Sequence, residues 1–223
     1  MSQILKESVR ILKKDAHMGP LVQKYGVPVW EERGDVFRSL VRSIVYQQVT
    51  GKAAASILAK FVSLFNSCEF PTPAQVLKKS VEDLRGAGLS GQKTTYIRDL
   101  AEKFLDGTID PSQFPRMTNN EIIEHVVQVK GVGVWTAHMF LMTTLKRPDI
   151  LPTGDLGIQK GFQVVYKLRS LPTAEKMEKL AKPWRMHASA ASWYLWRVAD
   201  EAKIKPLRSA ALPPSVQKGR KRK

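Results

Sequence analysis

The chain has 223 residues, a net charge of +16 and a pI near 10.0, which leaves room for one compact unit or two small lobes sharing a cleft and points to a polyanion as partner. No apolar run is long enough to cross a bilayer, Met1–Leu12 is too interrupted by lysine and glutamate for a signal peptide, and no basic amphipathic helix carries bulky apolar anchors, so nucleic acid is favoured over a membrane surface. The lone Cys68 excludes an internal disulfide and a four-cysteine iron–sulfur site and suggests a reducing compartment, and His17, His125, His138 and His187 lack metal-ligand spacing.

Residues 1–16 read as an amphipathic helix on Ile4, Val9 and Ile11, and Gly19 to Gly34 as a turn-rich connection in which Trp30 packs. Asp35 is an N-cap residue for a helix whose Val36, Phe37, Leu40, Val41, Ile44 and Val45 form one broad apolar stripe. That helix ends in Tyr46-Gln47-Gln48-Val49-Thr50-Gly51-Lys52. Two consecutive amides need several hydrogen-bond partners if buried; the plainer reading is a polar helix end facing water. Ala53 to Phe65 is helical on Ile57, Leu58, Phe61, Val62 and Phe65. Thr72 and Pro73 start a short helix to about Lys79, Ser80 caps another to Arg85, and Ser90 caps a longer one that buries Ile97, Leu100, Ala101 and Phe104 and stops at Gly107. Thr108 to Met117 is a loop.

Thr118 and Glu121 then make a capping box for a helix with Ile122, Val126 and Val129 on one face. Lys130-Gly131-Val132-Gly133 breaks it, the glycines allowing positive φ and close backbone approach. Trp135 to Leu145 resumes, with Trp135, Met139 and Met142 on one side and His138 beside them, until Lys146-Arg147-Pro148 ends the run. Such a hairpin turns several backbone N–H groups outward, an anion site suited to phosphate; an αα-corner that merely uses two glycines is the bland alternative. Leu151-Pro152-Thr153-Gly154-Asp155 follows, and Asp155 opens a helix to Leu168. Thr173 starts another, and Lys182-Pro183-Trp184-Arg185 opens a last long helix that contains Ala188, Ala191, Trp193, Leu195 and Trp196. From Lys203 the chain is a basic tail, expected to be disordered. Five of its last six residues are Lys or Arg; with those five set aside, the +16 becomes +11, so the body is basic as well. No strand pattern and no internal repeat stand out, and the fold class is all-α.

Taken together, VKGVGVWTA and LPTGD resemble the helix-hairpin-helix Gly/Pro-Asp superfamily of DNA repair glycosylases, and within it the 3-methyladenine DNA glycosylase II branch, which removes alkylated purines. The resemblance covers roughly residues 30–200. It implies two helical lobes with the hairpin and an active-site cleft between them: a middle lobe over 36–140, a second lobe from 1–35 plus 141–202, and the tail 203–223. QQVTGKAA resembles the branch's Q-Q-[LIV]-S-x-x-A-A signature, so Gln47, Gln48, Val49 and Thr50 inherit a loop that plugs the gap left by an extruded nucleotide, with Lys52 beside it on the DNA side. GLSGQK resembles a G-x-S-x-x-K helix start, in which Ser90 and Lys93 hold a second phosphate; a simple N-cap is the alternative. The Lys182-Pro183-Trp184-Arg185 start and the later Trp193-Tyr194-Leu195-Trp196 also match the branch.

The same resemblance assigns Lys130, Gly131, Val132 and Gly133 to DNA binding and the main-chain carbonyls of Lys130 and Val132 to a monovalent cation, Na+ or K+; no other cofactor is required. Trp135, Trp193, Met139 and Tyr46 fall at the base pocket, and Asp155 at the catalytic carboxylate that supports a cationic sugar and its attacking water. Bifunctional relatives carry a lysine nucleophile where Trp135 stands, so a glycosylase without strand cleavage is implied. Tyr46 stands where a small residue is common, and Met139 where a tyrosine can stand. These departures keep a second reading open, a damage or abasic-site binder without turnover; a general basic DNA-binding module is a third. The expected partner is duplex DNA with alkylated bases or abasic sites, and the expected state a monomer. KGRKRK reads as a nuclear import signal or as a solvated basic end, giving a nuclear location in a eukaryote and the nucleoid otherwise.

Overall fold

The computed structural model describes residues 3–30, 35–65 and 70–204; Gly34, Cys68 and the tail beyond Ile204 lie outside the described residues. Among the described residues there are twelve α-helices, two short 3-10 helices and no β-strand. The helices α1 (Gln3–Leu12) and α2 (Gly19–Tyr25) open the chain. Both differ from the sequence expectation. In α1 the inward residues are Leu5, Ser8, Val9 and Leu12, while Ile4 stays half exposed. The polar Ser8 hid this stripe; its hydroxyl donates to the Ile4 carbonyl at 2.9 Å and lies 3.0 Å from Nδ1 of His187. The segment expected as turns holds α2, begun with Pro20 in its first turn and driven by burial of Met18 and Val22.

The next elements share a first apolar core. They are α3 (Val36–Tyr46), α4 (Gly51–Ser63), α5 (Pro73–Lys78), α6 (Val81–Gly86), α7 (Gly91–Leu105), α8 (Asn119–Val126) and α9 (Val134–Thr143). Six of these seven helices start on a capping side chain: Asp35, Thr50, Thr72, Ser80, Ser90 and Thr118 each accept from the N–H three residues on. Phe61 and Phe140 are fully buried in this core, each worth roughly 1.5–3 kcal/mol relative to exposure. The loop between α7 and α8 carries a 3-10 turn at Phe114–Arg116, where Phe114 enters the core.

A second apolar core joins α1 and α2 to α10 (Leu156–Val165), α11 (Ala174–Ala181) and α12 (Ala188–Ile204). Helix α9 ends at Thr143, two residues before the expected end, and α10 at Val165, three before; Lys146 and Lys167 turn the chain with φ of 55° and 52°. The Lys182–His187 segment is 3-10 rather than the start of the long helix, because Pro183 lies in its first turn and Trp184, only 1% exposed, leaves helical geometry at φ −130°. Helices α10 and α12 pack closely. A Cβ on Gly161 would lie 2.5 Å from the Leu195 carbonyl oxygen, and one on Gly157 2.8 Å from Trp196 Cδ1. Glycine in a helix interior costs about 1 kcal/mol relative to alanine, so its use here reflects this approach.

Ser189, at the start of α12, pins the connection between the two cores. Its N–H donates to Pro148 O at 2.8 Å, its hydroxyl to Arg147 O at 2.6 Å, and it accepts from the Ile150 N–H at 3.1 Å. Asp155 N–H then donates to Pro152 O at 2.9 Å, and the Gln159 amide to Thr153 O at 3.0 Å. The N-terminus of α10 is thereby brought against the start of α9.

Candidate active site

A cleft of about 900 Å³ opens at the end of α3. Its walls are Arg42, Ser43 and Tyr46 of α3, the loop Gln47–Gln48–Val49, Ser90, Gln92, Lys93 and Tyr96 at the start of α7, and Gly131, Trp135, Thr136 and Met139 of the hairpin and α9. Sequence segments far apart thus meet on one surface. Gln48 sits at the loop tip with φ 55°, a left-handed conformation that is uncommon outside glycine. Thr50 closes the loop as the cap of α4, and Lys52 is exposed in the first turn beyond it.

The loop is held from two sides. The Lys93 ammonium donates to Val45 O and Gln47 O, both at 2.8 Å, and burial lowers its pKa. This corrects the expectation that Lys93 holds a phosphate: the carbonyls at the end of α3 need a donor, and Lys93 supplies it from below. The Gln47 amide donates to Gly131 O at 2.8 Å, tying the loop to the hairpin. Ser90 is the cap of α7 and accepts from the Lys93 N–H at 3.3 Å.

The hairpin rests on α7. Gly131 has φ 76°, and a Cβ there would lie 2.1 Å from Tyr96 Cδ2, so the hairpin backbone lies directly on the ring. Behind it, Asp99 is only 5% exposed. It accepts from the Lys130 N–H at 2.8 Å and pairs with the ammonium groups of Lys130 at 3.3 Å and Lys103 at 3.4 Å. Burial pushes the Asp99 carboxyl up, but the Lys130 N–H and the two ammonium groups more than offset it, leaving the pKa below its ordinary value. Val132 is buried at 4% exposure, and Gly133 begins α9 with no side-chain cap. The first-turn N–H groups of α9 therefore have no capping oxygen, unlike those of its six predecessors with side-chain caps.

Tyr46 lines the cleft beneath Arg42, whose guanidinium lies 4.1 Å from the ring centroid and donates to the phenolic oxygen at 2.7 Å. Trp135 is 54% exposed although leaving so large an apolar ring in water is costly. Its indole N–H donates to Oδ2 of Asp155 at 2.6 Å. Oδ1 of Asp155 accepts from the Ile158 N–H and from the Trp196 indole N–H, both at 2.9 Å. Asp155 is therefore both the cap of α10 and a partner of the cleft wall, standing behind Trp135 rather than lining the cleft itself. Trp193, expected at the base pocket, is not brought to this cleft. Its ring meets Tyr194 edge-on at 5.2 Å and lies 4.7 Å from the Arg197 guanidinium, because the turn of α12 that faces Asp155 presents Trp196 instead. His138 lines a separate recess of about 590 Å³ with Asn119, Asp149, Glu178 and Arg185; burial, then the Arg185 charge, lowers its pKa.

The sequence model of the HhH-GPD superfamily base excision DNA repair protein matches residues 41–186. The chain belongs to this superfamily. DNA-3-methyladenine glycosylase 1 of Schizosaccharomyces pombe is 34% identical over 182 residues, covering 79% of this chain and 78% of that protein. Among solved structures, the S. pombe 3-methyladenine DNA glycosylase in complex with abasic DNA has a TM-score of 0.73 at 32% identity, covering 86% of this chain and 95% of that one. A Bacillus halodurans DNA-3-methyladenine glycosidase has a TM-score of 0.79 at 31% identity, covering 92% of both chains.

In this HhH-GPD protein, three groups at the site carry little signal in the sequence. Trp196 reads only as part of a tryptophan-rich helix, Asp99 as an ordinary polar position of α7, and Tyr96 as one aromatic among several. The spacing of Asp99 to Lys103, four residues on a helix, is the one available signal, and it does not point to the hairpin. Among the described residues no cluster of His, Cys, Asp and Glu suits a metal ion, and no helix is long and apolar enough to cross a membrane.

Proposed function

We propose that this protein is a monofunctional DNA glycosylase that turns alkylated purines out of duplex DNA and hydrolyses their bond to the sugar. The observation that carries the reading is the Asp155 carboxylate, held at the edge of an aromatic cleft beside the glycine hairpin. Extruding a base costs about a few kcal/mol, which strand contacts and a plug must supply. The N–H groups of Gly133 and the first turn of α9 grip a strand phosphate without reading sequence. The Gln47–Thr50 loop, braced by Lys93 and Gly131, fills the space that the base vacates. Trp135 and Tyr46 offer ring faces, which attract the cationic rings of N-alkylated purines.

As the base departs with the bonding electrons, positive charge develops on the sugar. The Asp155 carboxylate stabilises that charge and accepts a proton from the water that attacks the same carbon. Trp135 occupies the position from which an amine would attack the sugar, and an indole nitrogen cannot form the Schiff base that strand cleavage requires. The Gly131 carbonyl is taken by Gln47, but the carbonyls of Lys130 and Val132 accept no hydrogen bond among the described residues. Neutral hard oxygens of this kind suit Na+ or K+, which would add positive charge under the gripped phosphate.

A second reading, a binder of damaged or abasic DNA without turnover, is favoured by Tyr46, locked into the cleft by Arg42. The remaining volume of about 900 Å³ weighs against it, since ligand sites commonly measure roughly 300–1,000 Å³. The test is incubation of the protein with alkylated duplex. Free 3-methyladenine or 7-methylguanine, with the strand left uncut at an abasic site, is the expected outcome. Release with strand scission and a borohydride-trapped adduct would contradict the monofunctional reading. Tight abasic-site binding without release would select the binder, and excision gained by Tyr46→Ser would identify the blocked pocket as its cause. The work belongs wherever the genome is, nucleus or nucleoid, and the KGRKRK end favours the nucleus.

A further inference from the structure

We infer that Trp196 is a positioning residue for this reaction, and that it divides the Asp155 carboxylate into one anchored and one working oxygen. The inference rests on the assignment of Asp155 made above. Oδ1 accepts two bonds, from the Ile158 N–H and the Trp196 indole, each at 2.9 Å. Oδ2 accepts the 2.6 Å bond from Trp135.

The two indoles are held very differently. Trp196 packs against both apolar cores, and its ring lies so close to α10 that a Cβ on Gly157 would stand 2.8 Å from its Cδ1. A ring gripped in this way has little room to turn aside. Trp135 is 54% exposed and forms the cleft wall. A nucleotide turned into the cleft meets Trp135 first, so the bond on Oδ2 is the one exchanged for sugar and water. Trp196 keeps Oδ1, and with it the rotation of the carboxylate. The terminal torsion of aspartate is broad and has no staggered well to fix it. The backbone N–H of Ile158 and the indole N–H of Trp196 fix it from two directions, so Oδ2 approaches the sugar along one line. Misplacing a reacting group by about 1 Å can cost about 100-fold in rate.

Replacing Trp196 with β-(3-benzothienyl)alanine exchanges the indole N–H for sulfur and keeps the fused ring. Under single-turnover conditions on a 7-methylguanine duplex, release is expected to slow about tenfold or more. Affinity for an abasic duplex and Tm are expected to stay at their wild-type values. Combined with Asp155→Asn, the replacement is expected to add little, because the group it positions is already gone. A tryptophan with only a packing role would slow both backgrounds by the same factor and lower Tm, and that result would overturn the inference, as would a wild-type rate in the benzothienyl protein. Asp155→Asn alone separates the two levels: wild-type release by that variant sinks the assignment of Asp155 itself, whereas a slow Asp155→Asn beside a fast Trp196 variant sinks only the positioning role. Exchange of the 15N-labelled indole protons gives a second measurement that needs no catalysis. The Trp196 proton should be protected in free and abasic-bound protein and lose protection in Asp155→Ala; rapid exchange in the wild type would contradict the anchor.

Discussion

At the scale of single residues, the site depends on groups that perform two tasks at once. Asp155 caps α10 through Oδ1 and meets the cleft wall through Oδ2, so its two sequence readings, helix cap and reactive carboxylate, occupy different oxygens. Lys93 shows where a motif can mislead. Its position after Ser90 suggests a phosphate contact, but the end of α3 leaves carbonyls without helical partners, and the nearest cation turns inward to satisfy them. Such a contact lies 46 and 48 residues away in sequence and leaves no periodic trace. Lys93→Met keeps the length of the side chain and removes the donor. It is expected to destabilise the fold by about 1–3 kcal/mol in urea unfolding, the usual cost of stranding buried acceptors. Because the same carbonyls fix the Gln47–Thr50 loop, preference for abasic over intact duplex should weaken as well. An unchanged urea midpoint would show that the two bonds contribute nothing.

At the scale of elements, the caps were legible and the burial of irregular segments was not. Asp35, Thr72, Ser80, Ser90 and Thr118 mark helix starts with a local signal, one oxygen three residues from one N–H. Helix α2 and the 3-10 turn at Trp184 lack that signal, since each is set by what it buries: Met18 and Val22 in one case, Trp184 in the other. The hairpin shows a third situation. Its glycines announce a tight corner, but its foundation, Tyr96 and Asp99 on α7, comes from about thirty residues earlier. Asp99 makes that foundation sensitive to acid. Its carboxyl sits below the ordinary aspartate value in the folded protein, so the stability it adds is present at neutral pH and fades as the pH falls through its folded-state pKa. Thermal melts should therefore separate wild type from Asp99→Asn clearly near pH 7 and converge below the normal carboxylate range. A gap that stays constant or widens in acid would contradict the assigned charge state.

At the scale of the whole molecule, two apolar cores meet along the seam crossed by the Trp135–Asp155 and Trp196–Asp155 bonds, and a net charge of +16 surrounds them. Fold class and partner class could be read from helical periodicity and charge, because both are properties summed over many residues. Which tryptophan reaches the carboxylate depends on one turn of α12 and could not. The charge predicts binding to intact duplex that weakens steeply with salt. Removal of Lys218–Lys223 should make a log–log plot of affinity against salt shallower by several units, close to one for each phosphate that the tail no longer neutralises. A slope unmoved by that deletion would place the phosphate-binding cations on the body alone. The central claim is that one carboxylate, held at the seam beside a phosphate-gripping hairpin, breaks the bond between base and sugar. Single-turnover release of 7-methylguanine, compared between wild type and Asp155→Asn at saturating protein, tests it most directly. A fall of about 100-fold or more with abasic-duplex affinity retained is the predicted result; equal rates in the two proteins would contradict it.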